Sequence, residues 1–273
     1  MILRTTSHLN AYKLIPKFES NIGDDINFVL APWIFNKYIV PYEYSLIGRR
    51  LLKQSNVLFI GSIINGLSTN RSIVLGAGLS PDFNTGKLVP PKSIKCVRGP
   101  LTRNYLKERG IECPEVYGDP ALIFPLFYTP KLQNRRYKIG FILHFLDRRD
   151  SVFNFLAAYD DCLILDVVNY GKWENFIDKL CSCDLIFSSS LHGLILADAY
   201  KIPNVWTQFY FQVNPFKYHD YFMSVGRVNE KPFILNNFID IKCLMKNKDH
   251  YQIIRFDKKY LLDFLRLSSD YSK

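Results

Sequence analysis

Short runs of consecutive apolar residues, separated by stretches with helical periodicity, recur through most of this chain, and that alternation restricts its fold more than any other feature. A strand covered on both faces reads as such a run, and two parallel strands need a crossover between them, usually a helix. In the first half the runs are NVLFIGSII (56–64), SIVLGAGL (72–79), SIKCVRG (93–99) and EVYGDPALIF (115–124). The third leads into GPLTRNYLKERG, with proline at the first helical position, Leu101, Tyr105 and Leu106 on one side, and Gly110 as a stop. A second set follows the polar, basic stretch YTPKLQNRRY (128–137): KIGFILHF (138–145), CLILDVV (162–168), CDLIFSSS (183–190) and IPNVWTQ (202–208). The helical patterns VFNFLAAY, WENFIDKLC and LHGLILADAYK lie between them. The expected fold is α/β, with two Rossmann-like domains facing across a cleft. They span 1–133 and 134–273, the second carrying a C-terminal helix over roughly 251–267 that can pack on either half.

With 273 residues, 48% apolar and 15% aromatic, the chain has ample material for two cores. Its formal charge of +10 favours anionic partners, phosphorylated metabolites or a lipid surface. Nucleic acid is not expected, because the basic residues are scattered and neither a helix-turn-helix nor an RNA-binding aromatic strand is present. The pairs Arg49-Arg50 and Arg135-Arg136 suit anionic headgroups or a solvated face. Cys96, Cys113, Cys162, Cys181, Cys183 and Cys243 form no CxxC pair and no zinc spacing, so reduced core thiols, a cytoplasmic location and no bound metal are expected. The first residues lack the continuous apolar stretch of a signal peptide, and no run reaches the roughly 20 apolar residues that span a bilayer. A soluble or at most peripheral protein is the expectation.

Ligands of open parallel sheets bind beyond the carboxyl ends of the strands, so chemistry-bearing residues at strand ends are the candidates. In SSSLHGLILADAYKIP, a strand ends in Ser188, Ser189 and Ser190 and a helix begins, with Ser190 as the expected N-cap and His192 and Gly193 in its first turn. Backbone N–H groups and the positive end of the helix dipole welcome an anion there. His192 either gains its proton as an anionic substrate arrives and acts as a general acid, or hydrogen-bonds a nearby carbonyl. Arg98, leaving the strand of SIKCVRG, is an arginine fork for phosphate or carboxylate, while Arg103 reads as a surface ion pair with Glu108 or another acid.

SNIGDDIN (20–27) is a polar loop opening INFVLAPWIF. Either Asp24 or Asp25 caps that helix, or one of them lines the cleft as a base or holds a sugar hydroxyl, with Asn21, Gly23 and Asn27 beside it. Asp119, at a glycine turn before Pro120, and His144, near the end of its strand, are further cleft candidates with structural readings of their own. FKYHDYF (216–222) reads as a helix offering Tyr218, His219 and Asp220, with Lys217 able to reach an anion. HExxH, Walker A and GxSxG motifs are absent, and GAG at 76–78 lacks the rest of a dinucleotide fingerprint.

NIGDDIN, GAG, VRGPLTR, YGDPAL and SSSLHGLILADAYKIP, in this order and spacing, resemble the polysaccharide pyruvyltransferase family. GFILH and FKYHDYFMSVG are similar to its exopolysaccharide ketal-pyruvylating branch, so the resemblance spans residues 20 to 226. It implies a fold like the GT-B glycosyltransferases and transfer of the pyruvyl carbons of phosphoenolpyruvate onto two hydroxyls of a hexose, giving a cyclic ketal and phosphate. It further implies a lipid-linked saccharide acceptor at the cytoplasmic membrane face, phosphoenolpyruvate as co-substrate, and no metal or organic cofactor. His192 matches the family's histidine in S-x-x-L-H and would be the general acid. Asp24 or Asp25 would orient or deprotonate the sugar hydroxyls. The donor would rest on Arg98, Ser189, Ser190, Gly193 and Lys217. Ser190 stands where many members carry arginine.

Two other functions fit the same architecture. A nucleotide-sugar glycosyltransferase would need an acid for the donor ribose, for which Glu230 is a candidate. A non-catalytic saccharide-binding subunit would be indifferent to loss of His192.

Overall fold

The computed structural model describes residues 2–6, 21–41, 55–81, 88–131, 137–148, 154, 156, 161–209, 214–228, 230–235, 254 and 256–268. In chain order the strands are β1 (Ile2–Thr6), β2 (Tyr38–Pro41), β3 (Asn56–Leu58), β4 (Ser72–Leu75), β5 (Ser93–Cys96), β6 (Tyr137–Leu143), β7 (Cys162–Asp166), β8 (Cys183–Ser188), β9 (Asn204–Gln208) and β10 (Phe233–Ile234). The α-helices are α1 (Ile22–Phe35), α2 (Ile64–Leu67), α3 (Pro100–Lys107), α4 (Trp173–Cys181), α5 (Leu191–Ala199), α6 (Phe216–Ser224) and α7 (Lys258–Leu267).

The chain divides into two compact units. The first contains Met1–Phe127, Asn214–Gly226 and Phe256–Lys273, and the second Tyr128–Val213 and Arg227–Arg255. The sequence reading drew one boundary near 133. In the structure the first break falls at Phe127/Tyr128, and α6 and α7 belong to the first unit.

Each unit is built on a five-stranded sheet whose described strand pairs are all parallel. The orders are β2-β1-β3-β4-β5 and β10-β9-β8-β6-β7. Counted along the chain within each unit, both have the doubly wound order 2-1-3-4-5. In such an order the connections leave the first strand in opposite directions, which opens a crevice at the carboxyl ends of the first and third strands.

The elements follow from their residues. In α1 the side chains at i, i+4 spacing, Ile22, Ile26, Leu30 and Ile34, are all buried, and the helix ends at Asn36 in the left-handed region (φ 48°). On one face of β6 and β8, Ile139, Phe141, Leu143, Leu185 and Phe187 form a cluster with Leu156 and Leu235. The alternation along each strand is what puts them on the same side. Leu58, Ile64, Val74, Ala77, Val97 and Leu106 do the same work in the first unit. Each such buried side chain contributes roughly 1.5–3 kcal/mol relative to exposure.

Two sequence expectations are corrected. EVYGDPALIF (115–124) is no strand: Tyr117 makes one isolated bridge to Val97, and Pro120 opens a 3-10 helix over Pro120–Leu126. Proline lacks the N–H a central strand needs, and Asp119 caps the turn by accepting from Ala121 N at 3.0 Å. SNIGDDIN is not a loop, because α1 already begins at Ile22. The first strand is β1, which runs parallel to β2 and β3. Residues 11–18 lie outside the described residues, as does most of VFNFLAAY. Among the described residues no helix is long and apolar enough to cross a membrane.

Candidate functional site

In the second unit, β6 lies between β7 and β8, so its crevice opens where β6 gives way to His144 and β8 to Ser189. The serines divide the local work. Ser189 Oγ accepts from His144 N at 2.8 Å, and Ser189 N donates to Ile142 O at 3.0 Å, which ties the two strand ends together. Ser188 Oγ accepts from Ser190 N at 3.1 Å, and its single proton is shared between Ile142 O at 3.2 Å and Ser190 O at 2.8 Å. Ser190 occupies the N-cap position of α5 with extended backbone, yet its side chain makes no capping bond. The first turn of α5 is therefore not closed by its own cap and keeps the positive end of the helix dipole for another group.

His192 sits half-buried in that turn, with its Nε2 shielded from solvent. Gly193 is required by packing: a Cβ there would lie 2.4 Å from Ser188 Oγ and 2.8 Å from Ile142 Cγ2. A bare Cα lets the helix start rest directly on the ends of β6 and β8. His144, only 9% exposed, caps the short 3-10 helix Phe145–Asp147, its Nδ1 accepting from Leu146 N at 3.3 Å. That bond assigns the proton of the neutral ring to Nε2.

In the first unit the corresponding crevice lies at the ends of β1 and β3, and α1 follows β1. Asn21 is the N-cap, its Oδ1 accepting from Gly23 N at 2.9 Å and its carbonyl from Asp24 N and Asp25 N at 3.0 and 2.9 Å. The aspartates are thus first-turn residues and not caps. Asn27, fully buried, holds this turn to the end of β3: Nδ2 donates to Asp24 O at 3.0 Å and Ile60 O at 3.2 Å, and Oδ1 accepts from Ile60 N at 2.9 Å.

Asp25 is 5% exposed and Asp24 half-buried. Burial, followed by the neighbouring charge of Asp25, pushes the Asp24 carboxyl up from 3.8 to about 7, while the Lys217 ammonium pulls it down. The dipole at a helix start favours an anion by only about 0.3–1 kcal/mol at an exposed position, so here desolvation wins. A carboxyl that titrates near neutrality can take a proton from a hydroxyl and release it again.

Other expected residues take different places. Arg98 is not an open fork but the largest fully buried side chain in the described structure. Its Nε donates to Asp220 Oδ2 at 3.0 Å, Nη1 to Ser62 Oγ at 2.6 Å and Nη2 to Leu79 O at 2.9 Å, so every guanidinium nitrogen already serves the protein. Asp119 caps the 3-10 helix; burial first, then the opposing Ala121 bond, leaves its carboxyl at about 6. Arg103 pairs with Glu115 at 3.5 Å and donates to Cys113 O at 3.2 Å, while Glu108 faces Arg109 at 3.8 Å. Glu230 accepts from Arg227 Nε at 2.8 Å, which commits the acid a nucleotide ribose would need.

Lys217 lies on α6 in the first unit, with its Nζ 5.2 Å from the Tyr218 ring centroid. The structure thus brings Asn21, Gly23, Asp24, Asp25, Asn27 and Lys217 together in the first unit, and His144, Ser189, Ser190, His192 and Gly193 in the second. Sequence reasoning gave Asp220 and Ser188 no role. The one faint signal for Asp220 is a carboxylate set among Tyr218, Tyr221 and Phe222 on an aromatic helix face.

Residues 13–207 match the family described as polysaccharide pyruvyl transferase. Among curated proteins, the succinoglycan biosynthesis protein ExoV of Rhizobium meliloti (strain 1021) is 26% identical over 219 residues, covering 76% of this chain and 62% of its own length. The uncharacterized protein L143 of Acanthamoeba polyphaga mimivirus is 28% identical over 213 residues, covering 76% of this chain and 71% of its own. A crystal structure of the functionally uncharacterized protein KP1_0663 from Klebsiella pneumoniae subsp. pneumoniae NTUH-K2044 aligns with a TM-score of 0.48 and 15% identity, over 81% of this chain and 86% of that one.

Proposed function

The chain belongs to the polysaccharide pyruvyl transferase family, and from that premise we propose that it moves the pyruvyl group of phosphoenolpyruvate onto two hydroxyls of a hexose in surface polysaccharide biosynthesis. The observation that carries the reading is the family match, which spans both candidate crevices from α1 to the end of α5. The GT-B-like architecture implied by the family resemblance is part of the proposal, as are a lipid-linked acceptor and work at the cytoplasmic face of the membrane.

Phosphoenolpyruvate carries a phosphate and a carboxylate, and the uncapped start of α5 with Ser190 offers an anion a partner. His192 gives a proton to C3, which becomes the methyl group, and positive charge develops at C2. The first sugar hydroxyl forms a bond to C2 as Asp24 takes its proton. The bond from C2 to the phosphate oxygen then breaks, phosphate leaves with its electron pair, and the second hydroxyl closes the ketal. Of the two protons lost by the hydroxyls, one replaces that spent on C3 and the other ends on phosphate. Asp24, held at about 7 by burial first and then by the charge of Asp25, is the base in this scheme.

Calorimetric titration of the whole protein with phosphoenolpyruvate, and separately with UDP- and GDP-sugars, tests this without knowledge of the acceptor. Saturable binding of phosphoenolpyruvate, weakened or altered in heat by His192→Ala, is the expected result. Binding of a nucleotide sugar with none of phosphoenolpyruvate would replace the proposal with a glycosyltransferase.

A further inference from the structure

A continuous set of buried bonds runs through the first unit from α6 to the first turn of α1. Asp220, fully buried, accepts from Thr102 N at 2.8 Å, Thr102 Oγ1 at 2.7 Å and Arg98 Nε at 3.0 Å. Arg98 passes to Ser62, which follows the end of β3 by way of Gly61 in the left-handed region (φ 121°). Two residues before Ser62, Ile60 exchanges both of its backbone bonds with Asn27, and Asn27 also holds Asp24 O. Two glycines make the approach possible. A Cβ on Gly99 would lie 1.9 Å from Asp220 O, and one on Gly78 would lie 2.3 Å from the Arg98 guanidinium carbon. Tyr105 on α3 adds an edge-on contact with Phe216 at 6.4 Å, so α6 meets α3 at Phe216 as well as at Asp220.

Lys217 stands three residues before Asp220 on that same helix, almost one turn away. We propose that Asp220 and Arg98 are positioning residues: they anchor α6 so that the Lys217 ammonium stays within electrostatic reach of Asp24, and thereby set the protonation state of the base. The inference rests on the functional reading above for its importance and not for its test. Among the described residues the charged groups that act on Asp24 are Asp25 on its own helix and Lys217 on α6. Burial raises the carboxyl, Asp25 raises it further, and Lys217 alone of the three lowers it.

The sign of the response separates positioning from direct charge. Removing the Asp220 carboxylate charge by itself would make proton release from Asp24 easier and lower its midpoint. Releasing Lys217 would raise it. The experiment is a pH titration of the carboxyl carbons of aspartate-labelled whole protein by NMR, with the Asp24 signal assigned by its loss in Asp24→Asn.

Lys217→Met is expected to raise the Asp24 midpoint by about half a unit or more. Asp220→Asn is expected to raise it as well, and to have no further effect in the Lys217→Met background. Thr102→Val, which keeps the Arg98 pair, is expected to produce a smaller rise and replaces Asp220→Asn if that variant does not fold. A midpoint that stays or falls in these variants overturns the proposal, as does a rise that persists without Lys217. No donor is present in the titration, so failure here and failure of phosphoenolpyruvate binding are separate results.

Discussion

The two crevices share one strand order and carry opposite chemistry. At the start of α1 the side chain and carbonyl of Asn21 occupy three N–H groups, and two carboxylates stand in the first turn. At the start of α5 the Ser190 side chain makes no capping bond, no acid is present in the first turn, and hydroxyls and an imidazole take its place. The helix dipole is the same at both ends, so the difference lies in how each turn spends it. A closed, acidic turn repels an anion and suits the handling of hydroxyl protons. An open, hydroxylic turn accepts one. The comparison teaches that a repeated topology fixes where a site can be, and the first turn of one helix fixes its charge.

That contrast is open to attack at several points, the largest effect first. His192→Ala should lower turnover about 10³-fold and change phosphoenolpyruvate binding, whereas Asp24→Asn should lower turnover by a similar order and leave that binding nearly intact. Equal losses of donor binding in the two variants would erase the division of labour. Arg98→Met should cost about 3–5 kcal/mol in denaturant unfolding, because Asp220 is left buried without its counter-ion. A variant of normal stability that had lost donor affinity would return Arg98 to the anion clamp the sequence suggested. Gly193→Ala should cost roughly 1–3 kcal/mol through its clash with Ser188 and Ile142.

A further effect is a pH dependence. The unfolded Asp24 ionises near its ordinary 3.8, whereas the folded one holds its proton to about 7. Between those values the folded state binds more protons, so stability falls as pH rises and the full penalty is present above about 7. Asp24→Asn removes the penalty. Its melting temperature should exceed the wild type at pH 8, by on the order of 2–4 °C for each kcal/mol of penalty removed, and match it near pH 4. For the same reason turnover should decline as pH falls through about 7, where the base becomes protonated.

The apolar runs made the parallel strands legible, and seven of the eight expected stretches contain one. The eighth failed at Pro120, where a missing N–H outweighed an apolar composition. Both ends of β8–α5 were readable because small hydroxyl residues followed by helical periodicity mark a strand-to-helix junction. Arg98 was misjudged for a physical reason. A lone arginine at a strand end looks the same in sequence whether it meets solvent or a carboxylate 122 residues away. The elevated carboxyl of Asp24 was likewise out of reach, since desolvation depends on what packs around the turn and not on its neighbours in the chain.

The way the chain divides bears on its birth. Asn214–Gly226 completes the first unit only after Tyr128–Val213 has been made. On a ribosome adding about 5–20 residues per second, Arg98 therefore waits at least several seconds for Asp220 to emerge. Through that interval its charge lacks the Asp220 carboxylate it will finally meet. A fold whose first half is finished by its last third cannot mature in simple amino-to-carboxyl order, and truncation before Asn214 would leave not a smaller unit but an unsealed one.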